Sequence, residues 1–84
     1  MRVQLSKGNS PTLTYVTVGP LELAFSYSTI VAFYDKGWVL SENIWSVTTG
    51  KHLNEIASPS SRIPHEEFTE QLNAILGRLD VVSA

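Results

Sequence analysis

Between Leu21 and Phe33 the odd positions read Leu, Leu, Phe, Tyr, Thr, Val, Phe, and the even positions read Glu, Ala, Ser, Ser, Ile, Ala. A period of two sustained over this distance predicts extended chain with its odd face in the core. No Gly, Pro or Asn stands at the midpoint to make a tight turn, so one strand bent near Ser26 to Thr29 is favoured over two strands joined there. Thr12 to Val18 is rich in β-branched and aromatic residues and predicts a strand before it, ended by Gly19-Pro20, where the chain reverses. Residues 2 to 5 form a short opening strand ahead of the turn-forming segment from Ser6 to Pro11. Asp35-Lys36-Gly37 predicts a three-residue hairpin loop with a left-handed glycine, pairing Phe33-Tyr34 with Trp38-Val39 in a last strand from Trp38 to Ser41.

The period changes after Trp45. Ser46 or Thr48 can cap a helix that runs to about Ile56 and buries Leu53 and Ile56. Ser58 to Ser61 reads as a loop. Pro64 suits the first position of a second helix, whose first turn carries Glu66 and Glu67 at the positive end of the helix dipole. Phe68, Leu72, Ile75, Leu76 and Leu79 then form one apolar stripe, and the tail from Asp80 to Ala84 frays or adds a short extension. Strands followed by helices predict an α+β fold: an antiparallel β-meander of three to four strands, then two helices packed on one face of the sheet. In that arrangement Phe68, Leu72 and Ile75 face Leu23, Phe25 and Val31. Tyr34, Ala32 and Ile30 leave the even face more apolar than solvent requires, which suits a dimer or partner surface.

With 84 residues, positions 1–84 make a single small domain, whose modest core leaves room for stabilisation by a partner or by a second copy of the chain. Cysteine is absent, which removes disulfides and thiolate metal sites. Apolar runs are cut by Glu22, Ser26, Asp35 and Lys36, so no membrane span is expected, and the first seven residues lack the apolar segment of a signal peptide. A cytoplasmic protein is the expectation. Net charge is −2 and the six cations are scattered, which argues against histone-like binding to phosphate backbones. Glu66, Glu67 and Glu70 make one side of the second helix acidic; a solvated face explains this, as would mimicry of nucleic-acid charge.

Candidate chemistry concentrates between Trp45 and Asn54. Trp45, Ser46, Thr48, Thr49, Lys51 and His52 put an indole, three hydroxyls, a cation and an imidazole at a predicted helix start, where free N–H groups favour an anion. Simple capping by the threonines with a solvated Lys51 is the plainer account. Gly50-Lys51 is not a nucleotide-hydrolase phosphate loop, because the upstream glycine and the Ser or Thr after the lysine are missing. Two histidines, His52 and His65, without cysteine do not make a zinc site, and no cofactor is implied. Ser46 and His52 lack an orienting group and an oxyanion hole, so no catalytic residue is assigned and no enzyme is expected. Trp38 and Trp45, with Tyr15, Tyr27 and Tyr34, fill a core or form a platform for a partner or for bases.

Ser26-Tyr27-Ser28-Thr29-Ile30-Val31-Ala32 followed by Trp45-Ser46-Val47-Thr48-Thr49-Gly50-Lys51-His52 gives the pattern Ser-Tyr-x-Thr-x-Val-Ala and then Trp-Ser-x-Thr-Thr-x-Lys-His. Over residues 21 to 56 this resembles a family of small uncharacterised proteins common in bacteriophages and mobile elements. Many of its members carry proline where Ile30 stands here. The resemblance implies a phage-like, intracellular, non-enzymatic setting and supplies no activity. The reading is therefore a small binding module acting by contact with a protein, with a host protein as one such partner and inhibition of host defence as a special case. The alternative is a nucleic-acid or phosphate binder using the helix start from Thr48 to His52.

Overall fold

A computed structural model describes residues 3–8, 12–58 and 61–83, with side chains up to residue 77. The elements are β1 (Val3–Lys7), β2 (Leu13–Val18), β3 (Leu21–Ser26), β4 (Thr29–Tyr34), β5 (Trp38–Ser41), α1 (Val47–Ile56), β6 (Arg62–Ile63) and α2 (His65–Ser83). The α+β class and the antiparallel meander hold, with six strands in the order β1-β2-β3-β4-β5-β6 rather than three to four. Only the β5–β6 pair is parallel, through Leu40 with Arg62 and Ser41 with Ile63, and α1 is the crossover between them. Residues 9–11, 59 and 60 of the expected turn and loop, the Leu79 side chain and Ala84 lie outside the described residues.

The stretch from Leu21 to Phe33 is two strands, not one bent strand. Ser26 pairs with Thr29 across a two-residue turn in which Tyr27 takes φ 58, while Ser28 keeps a negative φ. Positive φ at the first central residue matches the right-handed twist of the flanking strands, which is the service Gly19 (φ 60) performs between β2 and β3. Tyr27 does it without glycine's freedom, at a cost of about 1–2 kcal/mol. Its N–H donates to the Thr12 carbonyl at 2.8 Å, which fixes the strained residue from a neighbouring segment.

A bulge decides which side chains go where. Ala24 pairs with Ala32 and Phe25 with Ile30, so Val31 is the extra residue and shares a face with Ala32. One face then carries Leu21, Leu23, Phe25, Ile30, Phe33 and Val39 against Phe68, Leu72, Ile75 and Leu76 of α2. The opposite face carries Ala24, Val31, Ala32 and Leu40 against Leu53 and Ile56 of α1. Register requires this opposition, since Leu23-Phe33-Val39 and Ala24-Ala32-Leu40 are adjacent rows of one sheet. The expectation of two helices on one face is therefore corrected: each helix covers its own face. Leu23 and Phe25 meet α2 as expected, and Val31 meets α1 instead. The small side chains of Ala24 and Ala32 let α1 lie close. Of the even-face trio, Ala32 is covered by α1 and Ile30 turns to the α2 face, which leaves Tyr34 as the exposed member.

The last hairpin has the expected pairing, Tyr34 with Trp38 and Phe33 with Val39. Its left-handed residue is Lys36 (φ 66) rather than Gly37, which sits at φ 155. Asparagine tolerates this region better than lysine does. Lys36→Asn is expected to raise stability by about 0.5 kcal/mol and the melting temperature by roughly 2–4 °C. Thermal unfolding followed by circular dichroism reads the change, and a fall in melting temperature would contradict the assignment of strain to Lys36.

α2 begins one residue after Pro64, whose carbonyl accepts the first helical bond from Phe68 N–H at 3.0 Å. Proline thus stands at the cap, one position earlier than expected. The His65 N–H left open by the helix start is met by the Glu42 carboxylate at 2.7 Å. A negative group at that end also suits the helix dipole. The helix continues past Gly77 to Ser83, so the tail extends it.

Candidate functional site

α1 presents Thr49, His52, Leu53 and Ile56 to the sheet, a stripe spaced three, one and three. Its C-terminal half is apolar and packs on Ala24, Val31 and Leu40. Its N-terminal half is polar and meets the end of β3. Ser46 is the cap: it is extended (φ −147, ψ 170), and its Oγ accepts from Thr49 N–H at 3.2 Å. Asn43 braces this turn, donating from Nδ2 to the Ser46 carbonyl at 2.8 Å and accepting Trp45 N–H on Oδ1 at 3.0 Å. Gly50 leaves room for that brace, because a Cβ there would stand 2.9 Å from Asn43 Nδ2 and push the amide aside.

From the cap, a chain of hydroxyls runs into the protein. The Ser46 hydroxyl donates to Thr49 Oγ1 at 3.3 Å, Thr49 Oγ1 lies 3.0 Å from Ser26 Oγ, and Ser26 Oγ lies 2.7 Å from His52 Nδ1. His52 Nε2 in turn lies 3.0 Å from Thr12 Oγ1. One proton order satisfies every link: Thr49 donates to Ser26, Ser26 donates to Nδ1, and the Nε2–H donates to Thr12. Ser26 and His52 are each only 2 % exposed, so water does not compete for these groups. The Tyr27 ring, its centroid 5.9 Å from that of His52, lies beside the imidazole at the exposed end of the hairpin.

A second serine–histidine pair sits on the other face. Ser41 Oγ donates to the Glu42 carbonyl at 2.8 Å and lies 2.9 Å from His65 Nδ1. Trp45 meets His65 edge to face at 5.3 Å and packs against the α1 cluster, so it joins the starts of the two helices. Each helix is thus tied to its face of the sheet by a histidine whose Nδ1 meets a buried strand serine.

The six residues singled out by sequence do not form one surface. Ser46, Thr49 and His52 join the internal chain; Thr48 and Lys51 point to solvent; Trp45 is half-buried against His65. The hydroxyl partners of His52 are Ser26 and Thr12, and Ser46 is reached only through Ser26 and Thr49. Sequence reasoning missed Ser26, Thr12, Asn43 and Ser41. Ser26 does stand in the first of the two segments whose pattern was singled out above, and in the fold it meets Thr49 and His52 of the second. A nucleophile and a base within hydrogen-bond reach are chemically suggestive, but here the third neighbour is a threonine and the pair is enclosed. Among the described residues no three His, Cys, Asp or Glu side chains converge as a metal site requires. No helix there is long and apolar enough to cross a membrane.

These features define a small α+β protein with a helix pinned on each side of a meander. The chain belongs to a family of unknown function, DUF8033, whose model matches residues 3–70. No curated protein and no solved structure matches it.

Proposed function

We propose that this protein is a non-enzymatic binding module that acts by protein–protein contact, and that the contact is made through β1. The observation that carries this reading is the state of that strand. β1 is a sheet edge, all five of its residues are exposed, and Val3 and Leu5 remain 65 % and 64 % exposed. Both lie on the α2 side, in register with Val18 and Val16, beyond the cluster that α2 covers. An edge strand offers outward N–H and C=O groups to an added strand, and a partner that takes them also covers the aliphatic pair. Lys7, bonded to Thr14 Oγ1 at 3.2 Å, keeps one end of the strand charged and limits indiscriminate pairing.

The partner is a protein of the same compartment, taken as cytoplasmic, and a host protein fits the phage-like setting implied by the resemblance. A second copy of the chain fits the same edge. The nucleic-acid alternative retains Thr48 and Lys51 on the open side of α1 and loses Thr49 and His52 to the interior. Binding to short DNA that falls steeply with salt would revive it.

The test compares the protein with its Val3→Asp/Leu5→Asp variant in affinity capture from host lysate and in sedimentation equilibrium. Two aliphatic side chains buried by a partner are worth about 1.5–3 kcal/mol each, so the variant is expected to bind at least about 100-fold more weakly. Undiminished capture or self-association by the variant, or neither behaviour in the parent protein, rules the reading out.

A further inference from the structure

One row of side chains crosses five strands on the α1 side of the sheet: Gln4, Thr17, Glu22, Tyr34 and Trp38, each the register partner of the next. α1 covers the neighbouring row, Ala24, Ala32 and Leu40, and leaves this one at its margin. Tyr34 meets Trp38 edge to face at 5.5 Å and is 42 % exposed. Trp38 lies 6.1 Å from Tyr15 of the covered row, so three rings are contiguous. Carboxylates flank them. Glu22 stands beside Tyr34 in register, and burial, with Glu55 of α1 and then Glu22, raises the Tyr15 hydroxyl above its ordinary value of 10.0.

We propose that this row binds a cationic side chain, arginine before lysine, presented by the protein partner. Ring faces carry negative potential and attract a cation within about 6 Å. A guanidinium is planar, stacks on an indole or phenol, and forks onto a carboxylate, and here Glu22 lies next to Tyr34 in the same row. The aromatic rings alone would serve a nucleobase equally well. The carboxylate decides against it, because the phosphates of a nucleotide stacked on Tyr34 would meet Glu22 in the same row. The formal charge of −2 and the exposed Glu66, Glu67 and Glu70 of α2 favour encounter with a basic partner. Asp35 and Lys36 in the turn between Tyr34 and Trp38 place one charge of each sign beside the row.

That a protein carries the cation rests on the binding-module reading, but the recognition itself can be tested with a free probe. The full chain is titrated with N-acetyl-arginine amide, and the indole N–H resonance of Trp38 is followed by NMR, with N-acetyl-alanine amide as control. A saturable shift with arginine and none with alanine is expected. Glu22→Gln is expected to weaken the arginine response about 5-fold, and Tyr34→Ala to remove it while the dispersed spectrum of the fold remains. Absence of a saturable shift, an equal shift with alanine, or an undiminished response in the Glu22→Gln variant overturns the proposal. The Val3→Asp/Leu5→Asp variant separates the two readings. A lost Trp38 response with β1-dependent capture intact sinks the row alone, and an intact response with capture independent of β1 sinks only the edge-strand contact.

Discussion

Phe68→Ala is expected to lower the free energy of unfolding by about 3–5 kcal/mol, and with it the melting temperature by roughly 15–30 °C. Phe68 is 1 % exposed and clusters with Leu21, Leu23, Phe33 and Ile75, its ring centroid 5.6 Å from that of Phe33. It is the most deeply buried α2 side chain in that cluster, so truncation removes transfer free energy and leaves a cavity between helix and sheet. A protein of this length holds only roughly 4–12 kcal/mol in total, so the variant sits near the limit of folding. Phe68→Leu keeps most of the volume and is expected to cost about 1.5 kcal/mol. Urea unfolding followed by tryptophan fluorescence measures both. A loss below about 1 kcal/mol for the alanine variant would mean that α2 does not seal this face.

That packing was largely legible in the sequence. The stripe through Phe68, Leu72 and Ile75, the strand before Gly19-Pro20, the Asp35-Lys36-Gly37 hairpin and the first helix from Ser46 to Ile56 stand where periodicity and turn chemistry put them. The β3–β4 hairpin was not legible, and its concealment has a physical cause. A two-residue turn transfers the α2-facing set from odd positions to even ones, as Ile30 shows, and the bulge at Val31 transfers it back, as Phe33 shows. The two shifts cancel, so the pattern from Leu21 to Phe33 resembles one unbroken strand. Turn composition gave no help, because the positive φ falls on Tyr27 and is held by Thr12 and the imidazole of His52, neither of which is near it in sequence. β6 is two residues long, too short to carry a period.

The placement of α1 was hidden for a related reason. By sequence the even face that holds Ala32 reads as a dimer or partner surface, yet the small side chains of Ala24 and Ala32 are what allow a helix of the same chain to approach it. Once α1 is on that face, Thr49 and His52 must point inward, because they share the stripe of Leu53 and Ile56. The sequence put the imidazole in a chemically dense segment. It could not say that Ser26, 26 positions earlier, would supply its nearest hydroxyl.

His52→Ala tests what that arrangement is for, and a loss of about 3–5 kcal/mol is expected from the cavity and from the buried hydrogen bond lost at Ser26. The Nδ1 contact to Ser26 at 2.7 Å is buried, so bulk water does not replace the bond that the Ser26 hydroxyl loses, while the Nε2 contact to Thr12 at 3.0 Å is part-buried and costs less to break. Ser26→Ala removes less volume, keeps the ring and is expected to cost about 1–3 kcal/mol. Because the two residues share a bond, the double variant should be less damaging than the sum, with a coupling of about 0.5–3 kcal/mol. Partner capture supplies the second measurement. If the imidazole pins α1 to the sheet, capture by either variant falls only with the folded fraction, and affinity per folded molecule is unchanged. A His52→Ala protein that stays within about 1 kcal/mol of the parent yet loses its partner would reverse the assignment, making the imidazole part of the contact rather than its support. Val3→Asp/Leu5→Asp should show the opposite signature, because both side chains are already exposed: stability within about 0.5 kcal/mol and affinity lost. The two variants together separate a residue that builds the module from residues through which it acts.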